Sequence, residues 1–399
     1  MIPLKLNNLT TEYNLIASIL KRGCIKYKST KEIWEYLQEL YGAVFDIAVS
    51  KKGEKLFLNF YMQLIDDKYA IYKEKLLEKA IEFLKELITN PLVENGLFNK
   101  DYFEQEKENL RVLINSRIDN KDEYAVERVC EISCKHEPYE IYKHGDVEKL
   151  NSILNKDLVK IWSDVLGEEK LFFTLCGDVE EYYFKKLINT YFVQNKFVYE
   201  ELYKINDYKL TYNEVFEELQ MNQGKLSLCF KTNINLMKGD YFGLSVMNSI
   251  LGGGTHSKLF NEVREKNSLA YYSYSFVEKF KGLLIIASGI DFNKYDKTKQ
   301  VILEQVETIR KGNVTDQELN SSKNKLINDL KTITDSQFSI IDYIGALRAY
   351  GVQYTIEDII NEIEKVTLDR VISASKNIEL STIYFLKNKE VEGSDNLAQ

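Results

Sequence analysis

One arrangement of predicted elements occurs twice along the chain. Apolar residues at helical spacing precede two strand-forming segments joined by a Lys-Gly turn, and a long amphipathic helix follows, over residues 30–87 and again over 257–311. The copies lie about half a chain apart, whereas solenoid repeats recur every ~20–50 residues. The sequence therefore predicts an α+β fold with two similar domains, each a mostly antiparallel sheet packed with helices.

Length and composition agree with two globular domains. The chain has 399 residues, and a single hydrophobic core usually stops growing near ~250 residues. Hydrophobic residues make up 44% of the chain, but no apolar run approaches the ~20 residues of a membrane helix, so no membrane span is predicted. We place the first domain at 1–197, a linker at 198–218 and the second domain at 219–399.

Charge and cysteine content limit which partners and which cellular compartment are expected. The formal net charge of -8 argues against nucleic acid as a partner, because phosphate binding requires a basic surface. The cysteines are odd in number and scattered, which indicates reduced thiols: Cys24, Cys130, Cys134, Cys176 and Cys229. The N-terminal residues do not resemble a signal peptide, so we expect a cytoplasmic protein.

Periodicity and capping signals predict further elements. Helices are expected at 67–88, 100–115, 123–134, 156–165, 179–192 and 241–251, with capping boxes starting two more at Thr315 and Thr355. The segment 170–177 is predicted to be a buried strand. The alternation of apolar and polar residues over 225–232 predicts a half-buried strand.

The segment LGGGTHSKLFNEVREKNSLAYYSY, residues 251–274, contains a run of three glycines, Gly252, Gly253 and Gly254. It lacks the spacing of a phosphate-binding loop, and the glycines follow a predicted helix instead of a strand. We predict a helix C-cap in left-handed geometry and a sharp turn, with Thr255 or Ser257 capping the next helix.

A second cluster has the residue types of a metal site. His136, Glu140 and His144 lie close in sequence, but Pro138 and Gly145 favour a loop there. The paired helical histidines of a common zinc motif are missing, and no Gly-x-Ser-x-Gly elbow occurs. An unconventional metalloenzyme built on these three residues stays open as a minor alternative.

Residues 251–275 resemble the second-domain signature of the insulinase/pitrilysin metallopeptidase family, which includes the mitochondrial processing peptidases. LFFTLCGDVEEYYFKKLINTYF, residues 171–192, is similar to the end of that family's first domain. HEPYEIYKHGDVEKL, residues 136–150, looks like its loop before the final helices. The resemblance spans nearly the whole chain and implies the same two-domain architecture as the duplication.

Active members of this family carry an H-x-x-E-H motif, in which two histidines bind zinc and the glutamate acts as general base. Alignment on Gly23 places Asn14-Leu15-Ile16-Ala17-Ser18 at the motif. A third ligand, a glutamate, would fall near Val112 and Leu113, where no carboxylate stands. The resemblance therefore implies a chain without a zinc cofactor and without peptidase activity of its own.

Two polar residues of the second-domain signature are retained. In active relatives an arginine and a tyrosine seven residues apart help to hold the substrate peptide, and they match Arg264 and Tyr271. The first repeat has Leu37 and Val44 at the equivalent places. The alternative is that Arg264 forms an i,i+4 surface ion pair and that Tyr271 is an ordinary strand aromatic.

The start of the chain departs from the family pattern. Family members have one or two strands before the segment that resembles NLIASILKRG, but only thirteen residues precede Asn14. We therefore expect the first domain to lack its opening strand or strands.

Three functional hypotheses follow. The first is a zinc-free subunit that pairs with a zinc-bearing paralogue, or with itself, around a peptide substrate, with Gly252, Gly253 and Gly254 shaping the chamber wall. The second is a structural or peptide-binding module with no role in proteolysis. The third is the metalloenzyme that would use His136, Glu140 and His144.

Overall fold

The computed structural model describes residues 1–192 and 211–389. The strands there are β1 (Ile2–Lys5), β2 (Val44–Lys52), β3 (Lys55–Gln63), β4 (Val93–Glu94), β5 (Leu97–Phe98), β6 (Asn213–Leu219), β7 (Gly224–Lys231), β8 (Ala270–Glu278), β9 (Leu283–Ile290) and β10 (Glu379–Asn388). The α-helices there are α1 (Thr10–Leu20), α2 (Thr30–Glu39), α3 (Leu76–Thr89), α4 (Lys100–Asn115), α5 (Lys121–Ser133), α6 (Val147–Ser152), α7 (Asn155–Glu168), α8 (Glu181–Tyr191), α9 (Tyr241–Gly252), α10 (Tyr295–Arg310), α11 (Asp316–Ile333), α12 (Gln337–Ala349), α13 (Ile356–Glu364) and α14 (Leu368–Lys376). None of these helices has the length and apolar character needed to cross a bilayer.

The chain divides into two compact units. The first unit comprises Met1–Arg117, Ile141–Lys204 and Ser336–Gly351, and the second comprises Ile118–Glu140, Ile205–Asp335 and Val352–Gln399. Helix α12 therefore belongs to the first unit and α5 to the second, so each unit takes one helix from the other half of the chain. Of the expected linker 198–218, residues 198–210 lie outside the described residues, and 213–218 belong to strand β6.

In the first unit, β1, β3 and β2 form an antiparallel sheet in that order. The predicted hairpin of β2 and β3 is confirmed, and its turn contains Gly53 with a φ of +54°, a conformation that favours glycine. Both faces of β3 are covered. Leu56 and Leu58 join a core with α1, α3 and α7, while Phe57 contacts Tyr350, just after α12, with ring centroids 6.1 Å apart.

One strand, β1, precedes Asn14 and pairs with β3 from Ile2 opposite Leu58 onward. The expectation that the first domain lacks one or more opening strands stays a prediction. Another strand prediction near this sheet is wrong. The segment 170–177, predicted to be a buried strand, is half-buried and forms no strand. Its Phe172 exchanges backbone hydrogen bonds with Met1, but the residues beyond Phe172 run past the end of β1 and lack a neighbouring strand within the described residues.

The helix predicted over 67–88 begins later than expected. Asp66 accepts a hydrogen bond from the backbone N–H of Lys68 at 2.9 Å and caps a 3-10 turn, Asp67–Tyr69. Lys73 then has a φ of +59°, which an α-helix cannot contain. Helix α3 therefore starts at Leu76, and it ends at the predicted Asn90-Pro91 stop.

In the second unit, five strands form one sheet in the order β6-β10-β7-β9-β8, antiparallel except that β6 runs parallel to β10. The prediction that β7 is half-buried is wrong, because the strand is buried along its whole length. Helix α5 packs Ala125 and Val129 against Cys229, and the buried Lys231 pairs with Glu137 at 2.6 Å. The alternating polar residues therefore mark a second covered face.

The internal duplication is confirmed in its order of elements. The first copy is α2, β2, β3 and α3, and the second is a helix at Leu259–Lys266 followed by β8, β9 and α10. The helix Leu259–Lys266 is a π-helix, which periodicity did not predict. Both predicted capping boxes form, at the starts of α11 and α13.

Candidate functional site

The glycine run ends helix α9 without the left-handed geometry predicted for it. Gly252 is the last helical residue, and Gly253 follows with a φ of -79°. Steric crowding explains why glycine is required at these positions. A Cβ on Gly252 would lie 2.5 Å from the backbone nitrogen of Ser275, and one on Gly253 would lie 2.6 Å from the Cα of Ser249. The absence of a side chain at Gly252 lets α9 pack directly on β8, whereas Gly253 fits against the preceding turn of α9 itself.

Side-chain hydrogen bonds hold the turn that follows the glycines. Ser257, one of the two predicted caps, accepts a hydrogen bond from the backbone N–H of Phe260 at 3.3 Å. His256 Nε2 lies 2.9 Å from Ser322 Oγ, and burial lowers the pKa of the imidazole. His256 therefore serves as a neutral hydrogen-bonding group near pH 7.

Arg264 lies in the π-helix with a side chain that is 46% exposed. Its Nε is 3.6 Å from Glu265 Oε1, and its guanidinium carbon is 5.0 Å from the ring centroid of Phe260. The alternative of an i,i+4 ion pair is wrong, because the neighbouring carboxylate belongs to the adjacent residue. An exposed ion pair of this length is weak, so Glu265 restrains the guanidinium little.

Tyr271 lies at a bulge in the edge strand β8 and is 62% exposed. Its hydroxyl donates to Asp291 Oδ1 at 2.9 Å, and this hydrogen bond raises the pKa of the phenol. Asp291 is held in turn by Lys294, whose ammonium lies 2.7 Å away and depresses the pKa of the carboxyl. The structure thus gives Tyr271 and Arg264 separate partners.

Asn14 is 4% exposed on helix α1. Its amide nitrogen donates to the carbonyls of Thr10 at 2.9 Å and Lys143 at 2.8 Å, and its Oδ1 lies 2.9 Å from Nδ1 of His144. Because the amide oxygen can only accept, Nδ1 of His144 is the donor. Asn14 therefore uses both donor hydrogens and its acceptor to tie α1 to the loop that contains His144.

The same loop packs closely on the start of α1. Gly145 has a φ of +79°, and a Cβ there would lie 2.0 Å from Thr11 Oγ1. The backbone N–H of Asp146 donates to that hydroxyl at 3.2 Å. Lys149 then pairs at 2.9 Å with Glu12, whose side chain is 6% exposed. Residues 143–149 thus cover the first turns of α1.

The other positions that the resemblance aligns with the zinc motif and the third ligand carry no metal-binding group. Ala17 is 4% exposed in the core, and Ser18 Oγ donates back to the carbonyl of Asn14 at 3.2 Å. On α4, Val112 and Leu113 are exposed aliphatic residues. Helices α1 and α4 therefore present an amide, a hydroxyl and aliphatic groups at the places that the resemblance singles out.

The candidate metal residues have other partners. The backbone N–H of His136 donates to the carboxylate of Glu140 at 2.7 Å, and His144 bonds Asn14. Pro138–Glu140 is a 3-10 turn, in agreement with the predicted loop. Across residues 1–192 and 211–389, no three His, Cys, Asp or Glu side chains are grouped as metal ligands would be.

Sequence reasoning missed the residues that position the candidate side chains. Asp291 follows Tyr271 by twenty residues, a separation with no periodic meaning. Likewise, Asn14 and Lys143 are 129 positions apart in sequence, so no local pattern predicts their hydrogen bond. Only the three-dimensional fold brings these groups together.

Comparisons with known proteins show which family the chain is similar to. Residues 154–326 match the family model described as the peptidase M16 inactive domain. The chain is 32% identical to the probable inactive metalloprotease YmfF of Bacillus subtilis (strain 168), over 95% of this chain and 89% of that protein. It is 24% identical to the uncharacterized zinc protease YmxG of the same bacterium, over 92% and 87%.

A solved structure extends the comparison to the fold. The crystal structure of a conserved protein from Enterococcus faecalis V583 matches with a TM-score of 0.87 at 30% identity, covering 98% of this chain and 93% of that one. The similarity thus spans both units. The chain belongs to the insulinase/pitrilysin, or M16, metallopeptidase family, as an inactive homologue that is non-catalytic on its own.

Proposed function

We propose that the chain is a zinc-free subunit that pairs with a zinc-bearing paralogue to form a peptide-degrading or peptide-processing chamber. The hydrogen bonding of Asn14 is the observation that carries this proposal. If Asn14 to Ser18 replace H-x-x-E-H, the first ligand position holds an amide that is fully used within the fold. Ala17 would then stand at the general base, where it cannot take a proton.

Arg264 and Tyr271 act on the peptide in this proposal. The exposed guanidinium can donate a forked pair of hydrogen bonds to a peptide carbonyl or carboxylate, since only a weak pair with Glu265 restrains it. The hydroxyl of Tyr271 is oriented by Asp291. Gly252, by letting α9 lie against β8, sets the position of the wall that carries both residues.

The partner is a related chain with an intact zinc motif. Bacillus subtilis carries both a probable inactive metalloprotease and an uncharacterized zinc protease that match this chain over most of their lengths. We place the assembly in the cytoplasm. In a homodimer, the alternative assembly, neither subunit would supply zinc, so the pair would bind peptide without cleaving it.

The role of Arg264 can be tested in a reconstituted pair. Arg264→Ala should raise the KM of the mixed peptidase roughly tenfold or more, because a hydrogen bond to a charged group contributes about 1.5–3 kcal/mol. Lys266→Ala, on the same π-helix with an exposed ammonium, is the matched control and should leave KM unchanged. Equal kinetics for the wild type and both variants would remove Arg264 from the substrate site.

One observation favours the second hypothesis, a scaffold that binds peptide or assembles a complex without a role in proteolysis. The single proton of the Tyr271 hydroxyl is already donated to Asp291, so donation to a substrate requires that bond to break. A zinc-bearing paralogue that is equally active with and without this chain, while still binding it, would establish the scaffold role.

A further inference from the structure

Three polar side chains at the surface of the second unit are linked in a row that ends at Tyr271. The hydroxyl of Tyr271 donates to Asp291 Oδ1 at 2.9 Å. Asp291 Oδ2 lies 2.7 Å from the ammonium of Lys294. The same ammonium donates to the carbonyl of Ser268 at 3.1 Å. We refer to Tyr271, Asp291 and Lys294 as the Tyr271 cluster.

The backbone holds the Tyr271 cluster in place. Asp291 directly follows β9, and the backbone N–H of Lys294 donates to the Asp291 carbonyl at 3.0 Å and closes a 3-10 turn. Tyr271 lies at the bulge of β8, and the contact of Lys294 with Ser268 joins the turn to the loop before that strand. The carboxylate is therefore held by Lys294 on one side and bonds the phenol on the other.

The Tyr271 hydroxyl has one proton and two lone pairs, so its role toward a ligand depends on where the proton points. A carboxylate is a stronger acceptor than a neutral carbonyl or water. The hydrogen bond to Asp291 raises the pKa of the phenol, and Lys294, followed by Tyr271, lowers the pKa of the carboxyl. At neutral pH the proton therefore stays on the phenol and points to Asp291, and the lone pairs point away from it.

Charge balance indicates which kind of donor fits these lone pairs. Lys294 balances the charge of Asp291 at 2.7 Å, so the Tyr271 cluster carries no net charge. An ammonium ligand would lose hydration without gaining an unbalanced negative charge. A peptide N–H is neutral and needs only one acceptor. Tyr271 is 62% exposed, which leaves room for such a group.

We infer that Tyr271 accepts a hydrogen bond from a backbone N–H of a bound peptide, and that Asp291 is the positioning residue that gives Tyr271 this role. The inference rests on the proposed function only in placing peptide at Tyr271. An acceptor role keeps the bond to Asp291 intact, whereas donation to a peptide carbonyl would break it. Arg264 can only donate, so Arg264 and Tyr271 together serve the two kinds of backbone group, C=O and N–H.

The probe is an octapeptide of alternating Thr and Val residues, without charged side chains and with a fluorophore at one end. In each of its variants one backbone amide is replaced by an ester, which removes a single N–H. The full chain is titrated into each peptide, and fluorescence anisotropy gives the Kd. We expect the wild type to bind one ester variant about fivefold more weakly than the all-amide peptide, because one neutral hydrogen bond is lost.

Three substitutions assign that penalty, which is the ratio of the ester Kd to the amide Kd. Tyr271→Phe removes the accepting oxygen and should reduce the penalty below about twofold. Asp291→Ala frees the phenol proton to donate to the ester oxygen and should reduce it likewise. Asp296→Ala removes a carboxylate that is 93% exposed in the first turn of α10, and this matched control should keep the full penalty. Because each penalty compares two peptides on one variant, a general weakening of binding cancels.

No saturable binding of the probe, no ester position with a penalty, or an equal penalty on the wild type and Tyr271→Phe would overturn the inference. A penalty that Arg264→Ala abolishes and Tyr271→Phe does not would also overturn it, since it would reflect the weaker ester carbonyl. Peptidase activity of the chain mixed with a zinc-bearing paralogue tests the proposed function separately. No hydrolysis with the penalty pattern intact would reject the chamber and keep the acceptor role, and hydrolysis without the pattern would do the reverse.

Discussion

The amide of Asn14 joins helix α1 to the loop at 143–145 through buried and half-buried hydrogen bonds. Its side chain is buried, and it meets two carbonyls and one imidazole nitrogen. A buried polar group that loses its partner keeps the full cost of desolvation, whereas an exposed one recovers water. The stability contributed by Asn14 is therefore set by the hydrogen bonds that its removal would break.

Asn14→Ala should lower the free energy of unfolding by about 1–3 kcal/mol, because the hydrogen bonds from Asn14 to the carbonyl of Lys143 and the ring of His144 are lost. Denaturant unfolding followed by circular dichroism measures the change. Ser18→Ala, which removes a hydroxyl bonded within the same helix, is the control and should stay within about 0.5 kcal/mol. Equal stability of both variants would show that the loop does not depend on Asn14.

Glu214 makes an acid-sensitive contact in the second unit. Lys299 at 2.8 Å, the hydroxyl of Tyr295 and the hydroxyl of Tyr212 at 2.9 Å all donate to it. The hydrogen bond from Lys299, followed by that from Tyr295, lowers the pKa of this carboxyl from 4.5 to about 2. A depressed carboxyl pKa stabilises the fold above the unfolded value, and this stabilisation is lost as pH falls through the folded one.

The stability difference between the wild type and Glu214→Gln should therefore be largest above about pH 5 and should shrink as pH falls from about 4.5 towards 2. Urea unfolding at a series of pH values measures it. Glu218→Gln, on the same strand and paired with Lys387, is the control and should follow the wild-type profile more closely. A difference that is constant with pH would contradict the assigned hydrogen bonds.

At the scale of elements, Gly252 sets how closely α9 approaches β8. Gly252→Ala should destabilise the chain by about 1–3 kcal/mol, because its Cβ would lie 2.5 Å from the backbone of Ser275. Gly254→Ala is the matched control, since its nearest neighbour is the ring of His256 at 3.4 Å, and it should change stability much less. Thermal unfolding distinguishes them, and equal melting temperatures would refute the packing role.

Elements whose signals lie within a few residues of sequence were predictable. Elements that form only against a neighbouring element were not. Thr315 and Thr355 cap α11 and α13 as the sequence predicts, because a capping box needs only residues three apart. A strand needs an adjacent strand, so the apolar residues at 171–176 predict one that does not form. The π-helix around Arg264 also escapes periodicity, since its hydrogen bonds span five residues instead of the four of an α-helix.

At the scale of the whole molecule, the duplication predicted two domains but not their composition. The first unit takes α12 from the second half of the chain, where Asp342 pairs with Lys52 at 2.6 Å. The second takes α5 from the first half, followed by Glu137, which pairs with the buried Lys231 and Lys281. Amphipathic periodicity shows that a helix buries one face but not which sheet covers it.

The identities of the candidate site residues were predictable from the sequence, but their arrangement in space was not. The positions of Arg264 and Tyr271 came from the family resemblance, and their role in peptide binding remains a prediction. Their partners, Glu265 and Asp291, emerged only from the fold. Asn14 is a similar case. The sequence shows that an asparagine is a poor zinc ligand, but it does not show the hydrogen bonds that Asn14 makes.

The central claim is that this chain lacks peptidase activity alone and completes the chamber of a zinc-bearing paralogue. The most direct measurement is the peptidase rate at a fixed concentration of that paralogue while this chain is added. We predict no hydrolysis by this chain alone and a rate that rises to a plateau at one chain per paralogue. A rate that stays constant over the titration, or hydrolysis by this chain with stoichiometric zinc bound, would contradict the claim.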